Sequence, residues 1–92
     1  MKKRLTAHFE GRVQGVGFRL TTTRIAAGYD VTGTVRNLDD GRVEVVAEGE
    51  EEELRAFLEG IAEGPLGHHV RQREETWSEP GTPPFKSFRI AE

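Results

Sequence analysis

Hydrophobic and polar residues alternate at the start of the chain with the two-residue period of a strand. Between Arg4 and Glu10, every second residue is apolar, which is typical of a strand with one buried face. A stripe of mostly apolar residues then recurs at helical spacing up to about Gly28. The stripe consists of Phe18, Thr22, Ile25, Ala26 and Tyr29. The pattern therefore predicts a strand followed by an amphipathic helix.

The middle of the chain predicts a β-hairpin. Two runs rich in β-branched residues, 31–38 and 42–48, flank the sequence Asp39-Asp40-Gly41. An Asp-Gly pair between two such runs is among the strongest short-range hairpin signals. We therefore expect two antiparallel strands joined by this turn.

The second half of the chain predicts another helix, an edge strand and a short final strand. Residues 50–63 combine apolar residues at helical spacing with glutamates in the first turn, where the helix dipole favours negative charge. The segment Gly64–Gly67 ends this helix, and residues 68–77 form a weakly patterned, polar segment that suits an edge strand. Near the end of the chain, Phe88 and Ile90 predict a last short strand that buries both side chains.

The order of the main elements is strand, helix, strand, strand, helix, strand. Two helices that are apolar on one side only can cover just one face of a sheet, and each strand–helix–strand crossover is expected to be right-handed. This order predicts an α+β fold, a ferredoxin-like α/β sandwich (βαββαβ) with an antiparallel sheet and two helices on one face. No internal repeat or linker divides the chain, so we expect one domain over residues 1–92.

Composition narrows the class of protein. No apolar run approaches the ~20 residues that span a bilayer, and the N-terminus lacks the apolar core of a secretory signal. We therefore predict a cytoplasmic protein without a membrane partner. The absence of cysteine rules out disulfides, thiolate catalysis and cysteine-bound metal. A formal net charge of −3 argues against sequence-independent binding of nucleic acid, which depends on a positive field.

The stretch GRVQGVGFR, residues 11–19, lies between the first predicted strand and helix. Backbone N–H groups at the start of a helix attract anions, and glycines allow such a loop to curl so that these groups point into one concavity. Arg19 stands where the helix begins, and its guanidinium can bind the same anion through two parallel hydrogen bonds. The spacing G-x-x-x-G-x-G matches neither the dinucleotide fingerprint nor the nucleotide P-loop. The residues alone leave two interpretations open, a phosphate-binding loop or a plain connector with a solvated arginine.

Asn37 lies near the end of the next predicted strand. If the crossover brings the two strands side by side, its amide is close to the mouth of the glycine-rich loop, where it offers a donor and an acceptor that can hold a water. Asparagine also commonly starts turns through hydrogen bonds from its side chain to the backbone. A turn residue is therefore the alternative interpretation of Asn37.

The stretch GRVQGVGFR and the later segment VTGTVRNLDDGRVEVVAEG together resemble the acylphosphatase family. That family has a G-x-V-Q-G-V-x-F-R loop and, one crossover later, a G-x-V-x-N segment that leads into D-G-x-V-E. Both motifs are present at the right spacing, and the resemblance spans nearly the whole chain. Thr34 is a departure, because family members often carry an aromatic residue just before the V-x-N segment, and the 68–84 region aligns less readily.

The resemblance implies hydrolysis of the carboxyl–phosphate bond of acyl phosphates to a carboxylate and inorganic phosphate, without a metal or a cofactor. It implies that the loop amides bind the phosphoryl group together with Arg19, and that Asn37 positions the attacking water. The loop residues concerned are Val13, Gln14, Gly15, Val16, Gly17 and Phe18. It further implies that inorganic phosphate is both product and inhibitor, and that the protein acts as a monomer.

A second hypothesis is a non-catalytic anion-binding or regulatory module on the same fold, since a fold and a loop do not guarantee turnover. Asn37 separates the two hypotheses, because a binding module has no evident use for an amide that positions water. The adjacent His68 and His69 are expected to face opposite ways on a strand, so that they cannot chelate one metal together. Trp77 and Phe85 are expected to pack against the protein rather than to contact the substrate.

Overall fold

The computed structural model describes residues 1–91, and Glu92, the last residue of the predicted domain, lies outside the described residues. The helices and strands follow one another in the predicted order, with a single turn of 3₁₀ helix, Gly67–His69, before the fourth strand. The main elements are β1 (Lys2–Gly11), α1 (Phe18–Ala26), β2 (Thr32–Asn37), β3 (Val43–Glu50), α2 (Glu51–Glu63), β4 (Val70–Ser78) and β5 (Phe88–Ile90).

The strands of the described chain form one sheet in the order β4-β1-β3-β2-β5. β1 pairs antiparallel with both β3 and β4, and β2 pairs antiparallel with β3. These four strands and the two helices form the predicted ferredoxin-like α+β fold. The sheet differs from the prediction in two respects. β5 pairs with β2 in parallel, so the sheet is mixed rather than purely antiparallel. β3 lies between β1 and β2, so the expectation that these two strands are side by side is wrong. The polar β4 lies at one edge of the sheet, as the sequence predicts.

The core lies between one face of the sheet and the two helices. Along β1, buried residues alternate with partly exposed ones, so that only one face of the sheet is apolar. α2 adds four buried side chains at helical spacing. Neither described helix has the length and apolarity needed to cross a membrane. The largest fully buried side chains include Phe9, Phe57, Leu5 and Leu54. Burial of each such side chain is worth roughly 1.5–3 kcal/mol, and this layer therefore holds the loops at the edge of the sheet in place.

The C-terminal strand matches its prediction only in part. Phe88 is half-buried and packs against Phe57 of α2, with ring centroids 5.4 Å apart. Ile90 is 39% exposed, so the prediction that it is buried is wrong. The physical reason is its position, because β5 is a three-residue edge strand and no further strand of the described chain covers its outer side.

The two adjacent histidines also differ from their prediction. His68 and His69 belong to the 3₁₀ turn rather than to a strand, and their ring centroids lie only 4.2 Å apart. The turn closes because the His69 N–H donates to the Leu66 carbonyl at 3.0 Å. With three residues per turn, consecutive side chains do not point to opposite sides as they do on a strand. The expectation that these two rings face opposite ways is therefore wrong.

The face of the sheet that the helices leave uncovered, here called the outer face, carries paired charges. Glu44 of β3 accepts a hydrogen bond from Arg36 Nε at 2.9 Å and lies 2.9 Å from His8 Nε2. Burial of the Glu44 carboxyl raises its pKa, but the hydrogen bonds and charges of His8 and Arg36 outweigh burial. The net effect holds the pKa of Glu44 below its ordinary value.

Glu48 is the most buried anion of the outer face, with 6% of its surface exposed. Its Oε2 accepts hydrogen bonds from Arg4 Nε at 2.8 Å and from the Gly81 N–H at 2.7 Å. The Arg4 guanidinium also lies over the ring of Phe85, 5.3 Å from its centroid. These contacts fasten the segment between β4 and β5 to the sheet and satisfy the buried carboxylate inside the protein.

Candidate active site

Two buried side chains anchor the loop between β1 and α1. Val13 and Phe18 are almost fully buried, and Phe18 packs against Phe9 of β1 with ring centroids 5.3 Å apart. Between these anchors, Gly15 and Gly17 are exposed. The loop is therefore held at both ends by the core and is open to solvent in its middle.

The glycines of this loop allow it to change direction. Gly15 and Gly17 have φ angles of 78° and 84°, in the left-handed region that residues with a side chain rarely adopt. A β-carbon at either position would meet nothing within 4 Å. The backbone conformation, rather than a lack of space, therefore favours glycine at both positions.

The backbone amides of the loop are not used by the protein itself. The first hydrogen bond of α1 is donated by the Thr21 N–H to the Gly17 carbonyl at 3.0 Å, and no side chain caps the helix. Within residues 1–91, no amide from Val13 to Leu20 donates a well-formed hydrogen bond. Free amides at the positive end of a helix dipole are a binding site for an anion.

Arg19 adds a full positive charge to the same place. It lies in the first turn of α1 and lines one cleft with Gly15 and Gly17. Ion pairs within the described chain engage other arginines, namely Arg4, Arg36, Arg42, Arg55 and Arg73, but not Arg19. The helix dipole disfavours a cation in the first turn, and a bound anion would offset that cost.

Asn37 is the last residue of β2 and lines the same cleft. Side chains alternate along a strand, so Asn37 lies on the face of the buried Val35, which is the face that the helices cover. Its Oδ1 is buried and has no hydrogen-bond partner among the described residues. Buried polar atoms are nearly always paired, so this oxygen marks a place where solvent or a ligand completes the structure.

Gln14 ties the loop to the β2–β3 hairpin. Its Nε2 donates to the carbonyl of Leu38 at 2.8 Å and to the carbonyl of Arg42 at 2.9 Å. The sequence assigns only the backbone amide of Gln14 to the site, and its motif gives no sign of this side-chain contact. The two hydrogen bonds fix the loop relative to the end of β2, and therefore fix Arg19 relative to Asn37.

A cleft of about 130 Å³ collects these groups. Its lining residues are Val13, Gly15, Gly17, Phe18, Arg19, Leu20, Asn37 and Ile90. The structure thus brings the loop, Arg19 and Asn37 together, while Val16 and Gln14 belong to the loop without lining the cleft. The site predicted from the sequence includes neither Leu20 nor Ile90. Leu20 has a weak signal, since it is an apolar residue outside the helical stripe, whereas nothing in the sequence marks Ile90 as a residue of the site.

The other candidate side chains lie elsewhere. The Arg55 guanidinium lies over the ring of Trp77, 4.7 Å from its centroid, and neither Trp77 nor Phe85 lines the cleft. In the part of the chain that the structure describes, no three His, Asp or Glu side chains are close enough together to hold a metal ion. The one charged side chain in the lining of the cleft is Arg19.

Known proteins share this sequence and this fold. The acylphosphatase family model matches residues 5–90. The acylphosphatase of Salinibacter ruber is 44% identical over 89 residues, which cover 97% of this chain and 93% of that protein. The acylphosphatase of Syntrophus aciditrophicus is 40% identical over 90 residues, which cover 98% and 93%.

Solved structures agree with the sequence relatives. The crystal structure of the acylphosphatase from Bacillus subtilis matches with a TM-score of 0.88 and 36% identity, over 98% of this chain and 99% of that one. None of these similarities favours the non-catalytic alternative. They support an enzyme that hydrolyses acyl phosphates, and the chain belongs to the acylphosphatase family.

Proposed function

We propose that Arg19, the loop amides and Asn37 carry out the hydrolysis of acyl phosphates in this enzyme, without a metal or a cofactor. One observation carries the proposal. The free amides of the loop, the guanidinium of Arg19 and the buried Oδ1 of Asn37 meet at one cleft, and none of them has a partner among the described residues. A phosphoryl group and an attacking water would provide partners for all of them.

The phosphoryl group is the part of the substrate that the loop recognises. The amides from Val13 to Phe18 donate to its oxygens, and Arg19 binds two of these oxygens with parallel N–H groups. Phosphoryl transfer passes through a loose transition state whose charge is spread over the equatorial oxygens. Donors that are already oriented in a partly closed cleft stabilise that charge without having to reorganise.

Asn37 positions the water. An amide side chain can accept a hydrogen bond through Oδ1 and donate through Nδ2, so it can hold a water in line with the bond that breaks. Because the loop is tied to the β2–β3 hairpin by Gln14, the water and the phosphorus atom are held in one geometry. Such positioning replaces an encounter in solution and lowers the barrier.

The reaction balances without any further reactant. A water oxygen forms the new P–O bond, and the bond between phosphorus and the acyl oxygen breaks with its electron pair going to the carboxylate. An acyl phosphate dianion and water thus give a carboxylate and H₂PO₄⁻, so both protons of the water remain on phosphate. A carboxylic acid has a pKa of about 4, so its anion is a good leaving group and no general acid is needed for its departure.

Further properties follow as part of the same proposal. Residues 1–92 act as one domain and as a monomer in the cytoplasm, with neither a membrane nor a nucleic acid as partner. Inorganic phosphate, as product, occupies the loop in place of the substrate's phosphoryl group and inhibits competitively. The small size of the cleft, about 130 Å³, suits a phosphoryl group.

The test is hydrolysis of benzoyl phosphate, followed by absorbance, in the presence of a chelator and of increasing inorganic phosphate. We expect turnover that the chelator does not reduce, together with competitive inhibition by phosphate. Turnover that stops when the chelator is added would contradict the proposal. Phosphate binding without turnover above the uncatalysed rate would instead support the non-catalytic module.

A further inference from the structure

We propose that Leu20 and Ile90 form a subsite for the acyl group and give the enzyme a preference for acyl phosphates with an apolar acyl group. This inference rests on the proposed function, because it assigns the part of the substrate that the phosphate loop does not hold. In residues 1–91, the large hydrophobic side chains that are exposed are Met1, Leu20 and Ile90. The last two line the cleft that contains Arg19 and Asn37.

The fold brings these two side chains to the mouth of the cleft from different directions. Leu20 directly follows Arg19 in the first turn of α1. Ile90 of β5 stands in register with Val35 of β2, two residues before Asn37. Paired residues of neighbouring strands point to the same face of a sheet, so Ile90 lies on the helix-covered side, as Asn37 does. One apolar side chain therefore flanks the cation, and the other flanks the residue assigned to the water.

Their exposure leaves both side chains free to contact a ligand. Leu20 is 48% exposed and Ile90 is 39% exposed, although a core position would bury them. Single exposed apolar residues are common on protein surfaces, but two of them on one cleft, beside a free arginine and a buried unpaired amide oxygen, form a mixed site. Apolar walls with a few polar groups are characteristic of pockets that bind small molecules.

The chemistry of the lining limits the acyl group that fits. Arg19 is the one charged residue in the lining, and the phosphoryl group takes it. No carboxylate or second cation of the described chain lines the cleft to bind a charged acyl group. An aromatic or branched aliphatic group gains contact with Leu20 and Ile90, whereas an acetyl group is too short to gain as much. The cleft of about 130 Å³ is smaller than the roughly 300–1,000 Å³ of pockets that enclose larger ligands. The acyl group therefore rests at the mouth, and the preference is moderate.

The experiment measures kcat/KM for benzoyl phosphate and for acetyl phosphate and takes their ratio. Leu20→Gln and Ile90→Thr each introduce a polar group into the apolar wall. Leu20→Met and Ile90→Val are the apolar controls, because Met is close in shape to Gln and Val to Thr. We expect each polar variant to lower the benzoyl-to-acetyl ratio about fivefold, because a few contacts in an apolar site have effects of this order. The loss should fall mainly on KM, as expected for uniform binding. The apolar controls should keep the ratio within about twofold.

Competitive binding of benzylphosphonate and methylphosphonate, measured by calorimetry, examines the same subsite without turnover. The inference predicts that Leu20→Gln and Ile90→Thr weaken benzylphosphonate binding more than methylphosphonate binding. Equal ratios in the polar and the apolar variants, in kinetics and in binding, would overturn it. Failure of the wild type to hydrolyse either acyl phosphate would overturn the proposed function instead, and the two phosphonates would still decide whether the apolar subsite exists.

Discussion

Two polar regions of this protein use their charged and hydrogen-bonding groups in opposite ways. On the outer face of the sheet, Glu44 and Glu48 each accept hydrogen bonds from two partners of the same chain. At the loop between β1 and α1, Arg19 has no ion-pair partner and Asn37 Oδ1 has no hydrogen-bond partner among the described residues. Glu44, Glu48 and Asn37 belong to strands of the same sheet.

We interpret this difference as one between groups that stabilise the fold and groups that, in the proposed function, bind the substrate. A buried polar group without a partner costs about 1–3 kcal/mol, so folding alone gives no reason to keep one. On the outer face, the carboxylates have hydrogen-bond partners within the chain, and these contacts stabilise the fold. The loop leaves its donors and acceptor free, and in the proposed function the substrate and the attacking water supply their partners. Substitutions at the loop should therefore lower activity more than stability, and substitutions on the outer face should lower stability more than activity.

The largest effect should come from the loop cation. Arg19→Ala removes the one charged side chain of the cleft, and we expect kcat/KM for benzoyl phosphate to fall about a thousandfold, since donors of this kind are often worth 10²–10³ in rate. Phosphate affinity should fall as well. Arg19→Lys, which keeps the charge but loses the planar fork, should lie between the wild type and the alanine variant. An alanine variant with nearly full activity would contradict this role of Arg19 and would show that the loop amides alone are enough for catalysis.

The next largest effect should come from Asn37. Asn37→Ala removes the group that we propose holds the water, so we expect kcat to fall about a hundredfold while KM changes little. The free energy of unfolding should stay within about 0.5 kcal/mol of the wild type or increase, because the substitution removes an unpaired buried oxygen. Steady-state kinetics and urea denaturation give the two values. A large loss of stability would mean that Asn37 is a structural turn residue.

A smaller effect on activity should follow from loosening the loop. Gln14→Met keeps the length of the side chain but removes both hydrogen bonds to the hairpin carbonyls of Leu38 and Arg42. We expect kcat/KM to fall about tenfold, since misplaced groups react slowly, and stability to fall by about 1 kcal/mol. Gln14 acts here as a positioning residue. Binding of inorganic phosphate should therefore weaken together with kcat, and an unchanged phosphate affinity would contradict this role.

The outer face should show the reverse pattern. Glu48→Gln replaces the buried carboxylate that accepts hydrogen bonds from Arg4 and Gly81 with a neutral amide. We expect the free energy of unfolding to fall by roughly 1–3 kcal/mol. The kcat/KM of the folded enzyme should stay within about twofold. The same substitution at the exposed Glu74, whose contact with Arg42 is 3.7 Å long, is the matched control and should have little effect.

The smallest effect concerns pH. The pKa of Glu44 in the folded protein lies below the ordinary glutamate value of 4.5, because hydrogen bonds from His8 and Arg36 outweigh burial. A depressed folded-state pKa stabilises the protein at pH values above the unfolded pKa, and the contribution is lost as pH falls through the folded pKa. Urea denaturation at pH 7 and pH 3 should therefore show a wild-type advantage over Glu44→Gln that shrinks in acid. If the difference in unfolding free energy between the two proteins is the same at both pH values, Glu44 does not contribute to the pH dependence of stability.

Many of the helices and turns can be predicted from short stretches of the sequence. The Asp40-Gly41 pair gives the hairpin, and the spacing of apolar residues gives both helices, because these signals depend on neighbours within a few residues. The structure agrees with these two expectations and also places Asn37 beside the loop. The expected reason for that position is wrong, because β3 lies between β1 and β2. Both strands are antiparallel to β3 and therefore end at the same edge of the sheet, which brings Asn37 near the loop.

What the sequence does not give depends on contacts between distant segments. The hydrogen bonds of Gln14 end on carbonyls 24 and 28 residues away, and backbone carbonyls leave no mark in the sequence. Ile90 has the pattern of a core residue, but the edge position of β5 leaves it exposed. His68 and His69 belong to a 3₁₀ turn that Gly67 begins and that no periodic pattern predicts.

The most direct test of the central claim is to measure kcat and the free energy of unfolding side by side in Asn37→Ala and Glu48→Gln. We expect the first variant to lose activity and the second to lose stability. Asn37→Ala should lose about a hundredfold in kcat at unchanged stability, and Glu48→Gln should lose roughly 1–3 kcal/mol of stability at nearly unchanged kcat. If both variants lose activity and stability together, the paired polar groups do not serve stability alone and the free ones do not serve activity alone. That result would contradict the central claim.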